Sequence, residues 1–89
     1  MKVRFFSFIR DYTGCSEADI PFHATIFELI TFLCDQFGDE FRQKIFQNED
    51  FCSEINILVN GKHVKCLQGA ATPLSPDDCV EIIPFIIGG

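Results

Sequence analysis

The sequence predicts an α+β domain in which one main helix and a second, short helix pack on a mixed sheet of about five strands. Residues 26–37 repeat apolar side chains at helical spacing. Short apolar segments with strand-like alternation lie before and after them. Asn60-Gly61 joins two such segments and is the strongest two-residue hairpin signal, because a type I′ turn needs positive φ at both positions.

The N-terminal segment predicts a β-hairpin. Residues 2–9 alternate well enough at their start to form a strand, and residues 10–14 should form a turn. Residues 16–20 would return as the second strand, which Pro21 ends.

Residues 25–47 predict the two helices. Thr25-Ile26-Phe27-Glu28 matches the capping box, in which the Thr hydroxyl and the Glu carboxylate bind reciprocal backbone amides at a helix start. Gly38 follows residues 26–37 at the position of a C-terminal capping glycine. A shorter helix over residues 40–47 would have Asp39 as its cap.

The C-terminal half predicts three more strands. Residues 55–59 form a central strand, and residues 62–67 pair back on it after the Asn60-Gly61 turn. Residues 68–78 form a loop with Leu74 tucked inward, and residues 79–83 form the last strand.

Two hairpin-like units with a helix between them indicate a β-grasp, or ubiquitin-like, roll over residues 1–83. In that topology the first and last strands run parallel in the centre of the sheet. Residues 84–89 would then leave the domain as an extended C-terminal tail.

The alternation of the central strands predicts an outer surface. The side chains expected to face the helix are Val3, Phe5, Val80 and Ile82. Arg4 and Glu81 then face outward, where they could pair. We expect an exposed apolar patch beside the tail, made of Phe6, Leu58, His63 and Ile83. Such patches usually mark partner sites.

The tail reads Pro84-Phe85-Ile86-Ile87-Gly88-Gly89. Glycine has no Cβ, so the terminal carboxylate can enter a narrow channel of another protein. A disordered tail is the alternative, but disordered tails are normally polar, whereas this one is apolar before its glycines.

Net charge, the absence of targeting motifs and the spacing of cysteines and histidines disfavour several classes of function. A net charge of −6 over 89 residues disfavours binding to nucleic acids or anionic membranes. No targeting segment or transmembrane segment is visible, so we expect a cytoplasmic protein. The five cysteines contain no C-x-x-C pair, and most of them are expected to be buried in a reducing compartment. The two histidines lack metal-binding companions, so we expect no metal site.

The chain resembles the sulfur-carrier small subunit of molybdopterin synthase. The resemblance rests on the opening Val3-Arg4-Phe5-Phe6 with Arg10 and Gly14, the central Val59-Asn60-Gly61, and the segment from Pro73 to Gly88-Gly89. Two positions depart from the usual pattern of such families: Pro76-Asp77-Asp78 replaces Asp-Gly-Asp, and Phe85 replaces a second proline.

This resemblance implies a carrier cycle. An E1-like activating enzyme would use ATP and magnesium to adenylate Gly89, and a persulfide donor would convert it to a thiocarboxylate. The large subunit, in an expected heterotetramer, would accept the tail and pass sulfur to the pterin precursor. The chain would bind no cofactor and supply no catalytic acid or base. Gly88 would permit threading, Pro84 would fix the exit direction, and Phe85, Ile86 and Ile87 would line the partner's groove.

Two alternatives stay open. One keeps the carrier chemistry and changes the acceptor to thiamin, to tRNA thiolation or to a protein that becomes modified. Thiamin-type carriers tend to lack the segment seen here as residues 39–51, which disfavours that acceptor. The other is a ubiquitin-like binding module with an inert tail.

Overall fold

The fold is described from a computed structural model, which covers residues 1–48 and 50–85. Its elements are, in chain order, β1 (Lys2–Phe5), α1 (Ile9–Thr13), β2 (Glu17–Asp19), α2 (Ile26–Phe37), α3 (Asp39–Ile45), β3 (Phe46–Gln47), β4 (Asp50–Phe51), β5 (Ile55–Val59), β6 (Lys62–His63) and β7 (Cys79–Pro84).

The main sheet has the strand order β2-β1-β7-β5-β6. β1 and β7 lie side by side in its centre and run parallel, with Val3 opposite Val80 and Phe5 opposite Ile82. The neighbouring pairs β1–β2, β5–β7 and β5–β6 are antiparallel. This mixed sheet with a helix across it is the β-grasp roll, so the predicted fold and its central parallel pair are confirmed.

The core lies between α2 and one face of the sheet. All the side chains predicted to face the helix are buried, and they pack with the apolar stripe of α2, which is Ile26, Leu29, Ile30 and Leu33. Phe5 also contacts the rings of Phe37 and Phe41 edge to face, with centroids 5.6 and 6.5 Å away.

Helix α2 begins and ends where the sequence predicts. The Glu28 backbone N–H donates to Thr25 Oγ1 at 3.2 Å, and the Glu28 carboxylate accepts from the Ala24 N–H at 3.1 Å. At the other end Gly38 has a φ of +96° and donates its N–H to the Cys34 carbonyl. The positive φ is the reason a glycine suits this position.

The prediction for residues 2–14 was wrong after Phe5. Ser7 adopts a φ of +54°, which ends the strand, and α1 forms where a turn was predicted. Ile9 is fully buried as the first residue of this helix. Its apolar character therefore reflects helix packing, and the described chain has three α-helices instead of the predicted two.

The prediction for residues 39–51 was also partly wrong. α3 begins at Asp39, capped by Gly38 without a side-chain hydrogen bond, and ends at Ile45. β3 and β4 then form a separate hairpin that the sequence analysis did not predict. The Phe46 and Phe51 rings pair across it at 5.3 Å.

The C-terminal half differs from the prediction in the length of its edge strand, β6. The Asn60-Gly61 turn has φ values of +52° and +86°, as predicted for type I′. The strand predicted over residues 62–67 ends at His63, because a 3-10 helix over Val64–Cys66 takes its place. A second 3-10 helix, Gly69–Ala71, lies in the following loop, where Leu74 is buried as predicted.

Candidate functional site

The central strands direct the C-terminal part of the chain out of one end of the sheet. β7 continues through Pro84, one residue past the predicted domain boundary, and Pro84 lies opposite Ile55. The Phe85 N–H then donates to the Glu54 carbonyl at 2.6 Å. We call the end of the sheet at which Pro84 and Phe85 lie the exit end.

The tail residues differ in accessibility. Pro84 is buried on the helix side of the sheet, so within this chain it helps to fix direction and offers little surface to a partner. Phe85 is 55% exposed, more than any other large apolar side chain of the described residues. The predicted site residues Ile86, Ile87, Gly88 and Gly89 lie outside the described residues.

The predicted patch residues come together on the outer face of the sheet. Leu58 lies opposite His63 on one side and opposite Glu81 on the other. Ile83 is two residues from Glu81 on the same face, and the Phe6 N–H bonds to the carbonyl of Ile82 beside it. We call Phe6, Leu58, His63 and Ile83 the outer patch, and all four side chains are half-buried.

Polar side chains interrupt the outer patch. Asn56 lies opposite Ile83, and its Oδ1 is 3.0 Å from His63 Nε2. His63 Nδ1 accepts the Lys65 N–H at 3.1 Å, so Nε2 carries the proton and donates to Asn56. This pair fixes the histidine ring. Alternation along β5 does not indicate Asn56 as a site residue, although the Asn60-Gly61 turn sets the register that brings it diagonally opposite His63.

The predicted pair between Arg4 and Glu81 does not form. The Arg4 Nε lies 3.3 Å from Glu17 Oε1 on the other neighbouring strand, and Lys2 reaches the second Glu17 oxygen at 3.7 Å. Glu17 is the cross-strand neighbour of Arg4 in the antiparallel pair. These pairs are nearly half exposed, so each contributes at most about 1 kcal/mol.

A shallow hollow of about 250 Å³ adjoins Phe6. Arg4, Arg10 and Glu17 line it with Phe6, so basic groups stand next to the outer patch in an acidic protein. In the sequence, Arg10 is only one of the residues on which the family resemblance rests. Its place in the site follows from α1, which sequence patterning did not reveal.

The acidic turn before β7 has a structural role. Asp78 Oδ1 accepts from Asn60 Nδ2 at 2.8 Å, and Asp78 Oδ2 accepts from the Ser75 N–H at 2.8 Å. Asn60 Oδ1 in turn accepts the N–H of Cys79. These bonds hold the start of β7 against the hairpin turn.

The cysteines are less buried than predicted. Only Cys34 is buried, Cys66 is exposed, and Cys15, Cys52 and Cys79 are half-buried. Burial raises the pKa of the Cys34 thiol, an effect that Arg42 partly opposes and Asp35 increases. Within residues 1–48 and 50–85, no three His, Cys, Asp or Glu side chains group as metal ligands, and no helix is long and apolar enough to cross a membrane.

The sequence matches one protein-family model and one related protein over nearly its whole length. The ThiS family model matches residues 3–89. The small archaeal modifier protein 3 of Haloferax volcanii is 26% identical over 91 residues, which cover 100% of this chain and 98% of that protein.

Two solved structures share the fold over nearly the whole chain. The small archaeal modifier protein 1 from Methanosarcina acetivorans superposes with a TM-score of 0.87 at 28% identity, covering 99% of this chain and 94% of that one. A putative molybdopterin converting factor, subunit 1, from Pyrococcus furiosus has a TM-score of 0.72 at 26% identity, covering 96% and 95%. With the family match over residues 3–89, they show that the chain belongs to the ThiS family of ubiquitin-like sulfur carriers and modifiers.

Proposed function

We propose that this protein carries sulfur on its C-terminal glycine and donates it to the pterin precursor as the small subunit of molybdopterin synthase. The observation that carries the proposal is a family match that runs through Gly88-Gly89, on a chain whose central strand β7 ends at Pro84. The exposed Phe85 and the outer patch beside the exit end support it, because both offer surface to a partner.

The chemistry needs activation by a second protein. A carboxylate is a poor electrophile, so an E1-like enzyme with ATP and magnesium would adenylate Gly89 and release pyrophosphate. The terminal sulfur of a persulfide donor would then displace AMP and form an acyl disulfide, and a thiol would cleave its S–S bond, leaving the thiocarboxylate on Gly89 and a disulfide on the donor. The thiocarboxylate is a better nucleophile than the carboxylate, which suits transfer of sulfur to a pterin.

The chain's own residues position the reacting group. The Pro84–Ile55 pair and the Phe85–Glu54 hydrogen bond fix the direction in which the chain leaves the sheet. Gly88 would allow the chain to thread a narrow channel, and Phe85, Ile86 and Ile87 would line the partner's groove. Acid, base and metal chemistry would come from the partner enzymes.

The large subunit of molybdopterin synthase is the proposed acceptor enzyme. The Pyrococcus furiosus protein, a putative subunit of a molybdopterin converting factor, supports this choice. Attachment of the chain to other proteins is the second candidate. The two relatives named as modifier proteins favour it.

Intact-mass measurement tests the carrier chemistry. The chain is incubated with a matching activating enzyme, ATP and a sulfur donor, with a variant lacking Gly88-Gly89 as the control. We expect one oxygen-to-sulfur exchange at Gly89 in the full chain alone. Absence of the exchange with several cognate activating enzymes would refute the carrier hypothesis and favour a binding module.

The acceptor is tested in a second step. The thiocarboxylated chain is mixed with the large subunit and the cyclic pterin precursor, and the dithiolene product is measured. Formation of that product supports the synthase role. Covalent attachment of Gly89 to lysines of other proteins, without pterin conversion, supports the modifier role instead.

A further inference from the structure

Asn56 places an amide group inside the outer patch. It lies opposite Ile83 on β7, and its Oδ1 is 3.0 Å from the Nε2 of His63. The side chain is half-buried, and β5 stands between the strands that carry these two members of the patch. A partner surface that covers both Ile83 and His63 therefore also covers the Asn56 amide.

The backbone fixes which end of this amide faces the histidine. The Lys65 N–H donates to His63 Nδ1 at 3.1 Å, so the neutral ring carries its proton on Nε2. That proton needs an acceptor, and therefore the oxygen of the Asn56 amide, not its nitrogen, faces the ring. The Nδ2 group, with its two N–H donors, is left pointing away from the ring.

The two Nδ2 donors have no acceptor in the part of the chain that the structure describes. The bond to His63 is the one side-chain hydrogen bond that Asn56 forms there. Within residues 1–48 and 50–85, no buried side-chain nitrogen or oxygen lacks a partner. Since Asn56 is half-buried as a whole, its unpaired Nδ2 must reach the surface, where solvent satisfies it in the free protein.

We propose that the partner bound by the outer patch presents an uncharged carbonyl oxygen to Asn56 Nδ2, which makes Asn56 a specificity-determining residue of the carrier. This inference rests on the proposed function, with the large subunit as the partner. A purely apolar partner surface would remove the solvent from Nδ2 and form no bond in return, so it would bind more weakly. Lys and Arg side chains offer only donors and cannot replace that solvent.

The charges around Asn56 favour a neutral acceptor over a carboxylate. Glu81 lies two residues from Ile83 on the same face of β7, as the cross-strand neighbour of Leu58. None of the ion pairs among the described residues includes Glu81. A partner carboxylate at Asn56 would therefore meet an unneutralised like charge. A main-chain carbonyl avoids this repulsion, and the backbone is a common partner of side-chain donors.

Two variants of Asn56 test the proposal by isothermal titration calorimetry with the large subunit. Asn56→Leu adds apolar surface and removes the donors, so an outer patch that recognises only apolar surface would bind more tightly. We expect a loss of affinity of about tenfold instead, because the partner's oxygen is left buried without a donor. Asn56→Asp keeps an acceptor for His63 and replaces the donors with a second oxygen, so it should lose at least as much affinity.

Gln36→Glu is the matched control for the change from amide to carboxylate. Gln36 is exposed on α2, which packs on the opposite face of the sheet from the outer patch. This variant should bind within about twofold of the wild-type chain, because residues outside the contact contribute little. Circular dichroism and thermal unfolding check that each variant keeps the fold.

The outcomes separate this inference from the proposed function. Loss of affinity in both Asn56 variants supports it. A wild-type chain that does not bind the large subunit overturns the synthase role and this inference with it. A wild-type chain that binds, with Asn56→Leu binding equally or more tightly, overturns the inference alone. Wild-type affinity in Asn56→Asp also overturns it, because Asn56 would then act only by holding His63. If Asn56→Leu fails to fold, the comparison of Asn56→Asp with Gln36→Glu decides.

Discussion

Cys34 differs from the other cysteines because its side chain is only 1% exposed on the inner side of α2. Burial raises the pKa of its thiol, since a thiolate would lose its hydration without a full counter-charge. Arg42 offsets this only in part, and its guanidinium is hydrogen-bonded to Asp35 at 3.0 Å. Cys34 therefore acts as a small apolar core residue.

This raised pKa predicts a pH dependence of stability. The fold favours the neutral thiol, so the contribution is complete below the pKa of the unfolded thiol, ordinarily 9.0, and falls as the pH rises above that value. We expect the difference in unfolding free energy between the wild-type chain and Cys34→Ala to shrink between about pH 7 and pH 10. Urea unfolding under reducing conditions measures it.

Cys66 provides the control for this prediction. Its thiol is exposed, so Cys66→Ala should leave the pH dependence of the wild-type chain unchanged. A free-energy difference for Cys34→Ala that stays constant across the alkaline range would contradict the prediction.

Among the elements, α2 has the most clearly defined ends. Its N-terminal bonds from Glu28 to Thr25 and from Ala24 to Glu28 are local in sequence, and so is the Gly38 bond at its end. The shorter α1 has no side-chain cap bond, and its burial of Ile9 depends on the rest of the molecule. An element with local end signals can be recognised before the fold is known.

Removing the α2 cap should destabilise the protein measurably. Thr25→Ala deletes the hydroxyl that accepts the Glu28 N–H, and we expect a loss of about 1 kcal/mol in the free energy of unfolding. Thr25→Ser keeps the hydroxyl and should retain most of the stability. Chemical denaturation of the three chains measures the effect, and a loss for Thr25→Ala no larger than that for Thr25→Ser would contradict it.

The predictable elements are those with complete local signals. The periodicity and caps of α2, the alternation of β1 and β7, and the Asn60-Gly61 turn were sufficient to predict the fold. The β3–β4 hairpin and the 3-10 helix after His63 were missed because they depend on tertiary packing: Phe46 and Phe51 pack against the core, and Val64 is buried.

The candidate site was likewise predicted only where the signal lies within a single segment of the chain. Alternation alone predicted the members of the outer patch. The hydrogen bond between Asn56 and His63 and the ion pair between Arg4 and Glu17 depend on which strands are neighbours and on their register. Patterns within single segments do not contain that information.

At the scale of the whole molecule, the exit end brings apolar side chains together. Phe6 and Ile83 of the outer patch lie near this end, and the exposed Phe85 follows β7 there. The opposite end of the sheet carries the Asn60-Gly61 turn and its bonded acidic turn. Partner contacts should therefore concentrate at one end of the protein.

We expect Phe6→Asp to weaken binding of the large subunit about tenfold or more while the fold persists, because it places a charge in the outer patch. Isothermal titration calorimetry measures the affinity, and Phe22→Asp is the matched control at the opposite end. Global unfolding of Phe6→Asp would show that Phe6 is a core residue. Binding equal to that of the control would show that the partner does not use the outer patch.

The parallel pairing of β1 with β7 also bears on how the protein folds during synthesis. The two central strands are separated by nearly the whole described chain, so Val3 meets Val80 only after β7 has left the ribosome. Until then β1 lacks its central neighbour, and the buried stripe of α2 lacks the strand that joins β1 to β5. The sheet described here therefore forms late in synthesis, because its central pair needs the strand that is translated after the other described strands.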